Sequence, residues 1–219
     1  MKKILLGSLI FLFVSANAFA GVNVGISGAF TMLESTGTET TKSSSEKNNG
    51  TEDNNVIVPS LFIEMQGDRG IALGLDIVPG EAKLGSGTGS DDDAETSGAN
   101  KASAELVSHN TLYVLVPVGD AGMYVKGGIA RGTVDTTETL ATGTTYGNED
   151  VDGIMFGFGF QRDADNGAFV RAEGTYTDYD DVKFNGSFNG NAAGDSAVRN
   201  VIDADIDAIA LRISLGKSF

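Results

Sequence analysis

The sequence predicts an all-β chain, an eight-stranded antiparallel up-and-down transmembrane β-barrel with four long extracellular loops and three short periplasmic turns. Three observations predict it. In Ile209–Phe219, Ile209, Leu211, Ile213, Leu215 and Phe219 share one face of a period-two strand, and Ala210, Arg212, Ser214, Gly216 and Ser218 share the other. One face suits lipid and the other is small or polar. Met1–Ala20 has the layout of a secretory signal. Between the two ends, long and short connections alternate.

In the signal, Lys2 and Lys3 are the positive start, Ile4–Val14 the apolar stretch and Ala18-Phe19-Ala20 the small-x-small cleavage site. The expected organisation is therefore a cleaved signal peptide over 1–20 and an outer-membrane barrel domain over 21–219. Eleven mostly apolar residues cannot cross ~30 Å of hydrocarbon as a helix. No later run is long enough either, so an integral protein must close its sheet, because open edges go unsatisfied in lipid. The chain has no cysteine, which excludes disulfides, thiolate metal sites and an N-terminal lipidated cysteine. Thirty glycines and three prolines favour strands and turns over long helices.

Eight strands are predicted. Val22–Met32 turns Val22, Val24, Ile26, Phe30 and Met32 outward; Val56–Gln66 turns out Ile57, Leu61, Ile63 and Met65; Ile71–Val78 turns out Ile71, Leu73, Leu75 and Ile77. Leu106–Val118 is apolar on both faces near its end, so its register stays open. Met123–Thr133 turns out Met123, Val125 and Ile129; Gly153–Gln161 turns out Ile154, Phe156, Phe158 and Phe160; Ala168–Thr177 turns out Val170, Ala172 and Tyr176; Ile206–Phe219 closes the series. Most reach the ~9–11 residues of a tilted membrane strand.

Gly67-Asp-Arg-Gly70, Gly119-Asp-Ala-Gly122 and Asp163-Ala-Asp-Asn-Gly167 read as tight turns. Leu33–Asn55, Pro79–Glu105, Val134–Asp152 and Asp178–Asp205, rich in Gly, Ser, Thr, Asn and Asp, are expected to be loops without regular structure. Loss of Lys2 and Lys3 takes the net charge from −15 to −17. With their flanking residues the four loops carry −3, −4, −5 and −5, so the remaining wall is neutral. Such acidity keeps loops solvated and apart. It also suggests divalent cations bridging the loops to each other or to lipopolysaccharide phosphates. The densest runs, Asp91-Asp92-Asp93 and Asp178-Tyr-Asp-Asp181, lack the spacing of a dedicated calcium loop.

Parity places Glu64, Asp76, Lys126, Arg171, Glu173 and Arg212 on the inner face, three acids and three bases that should pair in a narrow lumen. They form either a charge-paired plug, since eight strands leave an interior that side chains nearly fill, or a thin gated conduit. Phe156, Phe158, Phe160, Phe169, Tyr113, Tyr124, Tyr176 and Tyr179 read as interface anchors. A nucleic-acid surface does not fit so negative a field. Catalysis would need a nucleophile beside a base. The one histidine, His109, follows Ser108, and adjacent strand residues face opposite ways. No phosphate loop, nucleophile elbow or paired-histidine motif occurs, so no catalytic residue, metal site or cofactor is expected.

With signal, strands, alternating connections and terminal phenylalanine in place, the chain resembles the small outer-membrane β-barrel family of opacity-type surface antigens and outer-membrane anchor barrels. Tyr124-Val-Lys-Gly-Gly-Ile129 is similar to the family's mid-barrel strand, and Leu215, Gly216 and Phe219 to its C-terminal assembly signal, with Lys217 where an aromatic or aliphatic residue is usual. The resemblance implies an outer-membrane location and partners in outer-membrane lipid, lipopolysaccharide and the barrel-assembly machinery. The expected function is non-enzymatic: envelope structure and surface interaction through acidic loops. The alternative is a small porin-like diffusion channel, for cations or a small apolar solute. A lipid-modifying enzyme using His109 and a soluble periplasmic β-protein complete the readings.

Overall fold

The computed structural model describes residues 21–40, 47–91, 98–140, 144–188 and 200–219; the signal segment expected over 1–20 lies outside them, as do Asp92 and Asp93. The strands are β1 (Gly21–Thr40), β2 (Lys47–Gln66), β3 (Ala72–Ile77), β4 (Glu81–Asp91), β5 (Gly98–Val118), β6 (Met123–Thr139), β7 (Thr144–Thr145), β8 (Glu149–Asp163), β9 (Ala168–Tyr179), β10 (Val182–Asn185), β11 (Ser187–Phe188) and β12 (Val201–Ser218). Antiparallel ladders run β1-β2-β3-β5-β6-β8-β9-β12, and β12 returns to β1, closing a ring of eight. β4 continues the line of β3 along β5, and β10 continues β9 along β12. The last residue shares in the closure, since Phe219 N donates to Val22 O at 2.9 Å.

The outward residues form an apolar belt. Ile26, Phe30, Leu61, Ile63, Phe156, Phe158, Leu211 and Ile213 are all exposed, as lipid contact requires of a closed sheet. The three predicted turns join strands at one end, with Gly70, Gly119, Gly122 and Gly167 at positive φ.

At the other end the sequence expectation needs correction. Stretches 33–55, 79–105, 134–152 and 178–205 are largely strand among the described residues; β1 and β2 each run 20 residues, about twice a membrane crossing. The barrel rises well above the belt, because neighbours already in register satisfy further backbone groups most cheaply by continuing the ladder. Runs such as Glu34-Ser-Thr-Gly-Thr-Glu-Thr40 are polar on both faces, so no alternation reveals them.

One seam interrupts the wall. β2 pairs β3 only over Leu61–Gln66, and among the described ladders none joins β2 to β4. Pro79 has no N–H to give, and Gly80 at φ 131° turns the chain between β3 and β4. Asn54 Nδ2 reaches across to Leu84 O at 2.5 Å. Ile57, beside the seam, is 80% exposed. The β5 ladders shift opposite this break, between Val107 and Asn110, and Ser108 there has φ 54°. The bulge reverses parity: Leu106 faces inward before it, and Thr111, Tyr113 and Leu115 after it. Past the bulge both faces are apolar, because Tyr113 and Leu115 turn in to fill the lumen while Val116 and Val118 turn out to the belt.

Candidate functional site

The lumen gathers the buried polar residues into one layer at belt height. Arg171 on β9 points at Glu64 on β2 and makes a forked pair, Nη1–Oε1 at 2.5 Å and Nη2–Oε2 at 2.7 Å. Tyr113 OH donates to Glu64 Oε1 at 2.7 Å and Asn23 Nδ2 to Oε2 at 3.1 Å, so a carboxylate with no exposure is fully answered. Arg171 Nε donates to Gln161 Oε1. Its guanidinium carbon lies 4.6 Å from the Phe169 ring centre and 5.4 Å from that of Phe62, a stacked setting that arginine tolerates better than lysine.

Lys126 on β6 pairs with Glu173 on β9 at 3.1 Å and sits 3.8 Å above the Tyr113 ring. Arg212 on β12 pairs with Asp76 on β3 and lies directly across the ladder from Glu173. Ser60 Oγ donates to Asp76 Oδ2 at 3.0 Å, and Arg212 Nη1 also reaches Ser60 and Ser27. The six residues Glu64, Asp76, Lys126, Arg171, Glu173 and Arg212 thus stand as three ion pairs in a nearly continuous layer, all buried except the partly exposed Arg212. Asn23, Ser27, Ser60, Tyr113 and Gln161 complete it and were missed by a search for charges alone. Shared inward parity with Glu64 and Asp76 marks Ser60, and the bulge hid Tyr113.

Four rings pack in and beside this layer, each over a glycine directly opposite on the neighbouring strand: Phe62 on Gly25, Tyr113 on Gly74, Tyr124 on Gly159 and Phe169 on Gly216. A Cβ on any of these glycines would fall well inside contact distance of its ring. This corrects the reading of the aromatics. Phe156, Phe158, Phe160 and Tyr176 are exposed on the belt, whereas Phe169, Tyr113, Tyr124 and Tyr179 are buried inside, because each lies at inward parity. Of the terminal residues, Leu215 and Phe219 are exposed, and lumen packing accounts for Gly216.

Above the charges the lumen becomes apolar. Leu33, Leu84, Leu106, Val134, Val151, Val182, Phe184 and Ile206 pack into one core. Between core and charge layer lies a cavity of about 70 Å³, walled by residues such as Leu33, Val58, Leu106 and Met155 and floored by Asp76, Lys126 and Arg212. His109, turned inward at the bulge, meets Tyr179 OH from Nε2 at 2.8 Å across it. Ser108 is exposed on the other side of the wall.

Outside, just above the belt, Asp53, Glu34, Asp207 and Asp178 stand directly opposite one another on four adjacent strands. Burial, then the charges of Asp207, Asp181 and Asp178, push the nearby Asp205 carboxyl above its usual range. Among the described residues no group of three acids or histidines is placed to hold a metal ion.

A closed antiparallel barrel, apolar outside at belt height and ion-paired within, is an outer-membrane β-barrel, and its belt sets the chain in that membrane. Among solved structures the chain is similar to the outer-membrane protein OprG from Pseudomonas aeruginosa, at TM-score 0.56 and 17% identity, covering 93% of this chain and 98% of that one. It is also similar to the outer-membrane protease OmpT from Escherichia coli, at TM-score 0.53 and 10% identity over 91% and 97% of the two chains, and to the outer-membrane protein AlkL, at 0.52 and 16% over 94% and 93%. No protein-family model matches the sequence, and no curated protein does.

Proposed function

We propose that this barrel is a non-enzymatic, ion-tight element of the outer membrane that presents an acidic collar at the lipid headgroups. The carrying observation is the carboxylate row Asp53–Glu34–Asp207–Asp178. Like charges directly opposite in a ladder repel, so the row favours counter-charge at the height where lipopolysaccharide phosphates and their divalent cations lie. The ion-paired lumen supports tightness, since each buried charge already has its partner. His109 bonds a tyrosine, with no serine in the contact, which supports the non-enzymatic part. Leu215 and Phe219 are the residues offered to the assembly machinery. The test is thermal unfolding of the refolded barrel in lipopolysaccharide and in phosphatidylcholine, with and without magnesium. Magnesium should stabilise it in lipopolysaccharide alone, and Asp207→Asn with Asp178→Asn should abolish the effect. Equal melting in all four conditions would remove the collar reading.

A second reading, passage of a small apolar solute, is favoured by the apolar-walled cavity beside the unpaired β2–β4 seam. Planar-bilayer recording separates both readings from an ion channel: unitary current steps would exclude an ion-tight lumen.

A further inference from the structure

We propose that the lumen cavity is a binding site for small neutral amphiphiles, short-chain alcohols above all, with the hydroxyl on its polar lining and the carbons against its apolar wall. This rests on the second reading above and specifies its solute. The cavity has two kinds of lining, apolar and hydroxyl-bearing. Leu33, Val58, Leu106 and Met155 supply a wall that holds carbon and rejects ions. On the same walls Thr31, Thr111, Thr175 and Thr177 bring hydroxyls to the same space, Thr177 directly across the ladder from Met155, beside the His109–Tyr179 bond. The nearest charges, Asp76 with Arg212 and Lys126 with Glu173, are two acids and two bases, so the floor selects neither a cation nor an anion.

A neutral head is therefore favoured, and a bare hydrocarbon leaves the polar lining desolvated without recompense. The floor also holds one acceptor and one donor with no protein partner, Asp76 Oδ1 and Arg212 Nε. A hydroxyl, donor and acceptor at once, matches that pair in kind. Size limits the solute: about 70 Å³ is half of the ~150 Å³ apolar cavity that takes benzene, so a few heavy atoms fit.

The experiment is methyl NMR of the refolded barrel labelled on methionine, following Met155 while titrating 1-propanol, xenon, propylammonium and propionate. Met155 should shift saturably with 1-propanol, and about tenfold more weakly with xenon and with either ion. Thr177→Val should weaken 1-propanol roughly two- to tenfold, the span of one hydrogen bond, and leave xenon unchanged. Ala210→Leu, which fills the cavity, should remove both responses; a shift that survives it arises outside the site and overturns the proposal. Xenon binding as well as 1-propanol would overturn the amphiphile and leave the apolar-solute reading standing. Saturation by neither would end both.

Discussion

The two halves of this barrel are built on opposite plans. At belt height the outer face is apolar and the inner face charged. Above it the outer face is acidic and the inner face apolar. β12 shows the change along one strand: Leu215, Ile213, Leu211 and Ile209 face out and Ser214 and Arg212 in, then Asp207, Asp205 and Asp203 face out and Ala208 and Ile206 in. The period of two never breaks, yet its chemical meaning inverts where the surrounding solvent passes from lipid to water. The lower half is held by paired charges that lipid leaves no other place for, and the upper half by the burial that holds any water-soluble barrel.

The sharpest way to break the comparison is to leave one charge unpaired. Arg171→Ala strands Glu64 in the lower lumen and should cost about 3–5 kcal/mol, read as a lower urea midpoint for loss of the unboiled gel-mobility form. A midpoint and a conductance both unchanged would mean that the pair neither holds nor seals the lumen. Leu106→Ala asks the same of the upper half, where deleting buried methyls should cost about 2–5 kcal/mol. Its signature should differ: amide exchange should rise in β4, β5 and β6 above the belt while the belt strands stay protected. Uniform loss of protection would show that the halves unfold as one. Gly74→Ala pushes a methyl into the Tyr113 ring and should cost about 1–3 kcal/mol, with Tyr113→Ala on the same chain restoring the room but not the hydrogen bond to Glu64.

The lower half was legible in the sequence, and the upper half was not. Alternation from Val22 to Met32 or from Ile154 to Phe160 survives because lipid demands an apolar residue at every second place. The same parity set Glu64, Arg171 and Arg212 on one inner face. Which acid meets which base was not legible, because pairing depends on heights fixed by strand stagger. Above the belt, threonine and glycine serve on strands and loops alike, and β10 and β12 alternate against a small core that a loop-like composition conceals. The register of β5 stayed open because Tyr113 and Leu115 fill the lumen while Val116 and Val118 face lipid, and the parity reverses at the Ser108–His109 bulge, which no pattern of apolar residues announces. The His109–Tyr179 bond depends on that bulge and went unseen with it.

Tyr179→Phe removes this cross-lumen bond and should cost about 0.5–1.5 kcal/mol. His109→Phe on the same background should add little, and strict additivity of the two substitutions in a double-mutant cycle would show that the bond contributes nothing.

The smallest expected effect lies on the outer face of the upper half, where the acidic collar works against the fold that carries it. Asp205 is exposed, and burial, then Asp207, Asp181 and Asp178, raise its folded pKa above the unfolded value. The sign follows from linkage: the folded state binds this proton more tightly than the unfolded chain, so the favourable contribution is complete below the unfolded pKa and is lost as pH rises through the folded one. Asp205→Asn should therefore stabilise the barrel at neutral pH, within the ~0.5 kcal/mol of exposed substitutions, and flatten its stability between the carboxylate range and neutrality. Salt should shrink the gain, because the repulsion it relieves is screened. A variant less stable than its parent at low salt and neutral pH would mean that Asp205 is held by an attraction, and the upper half would then owe part of its order to the collar as well as to its core.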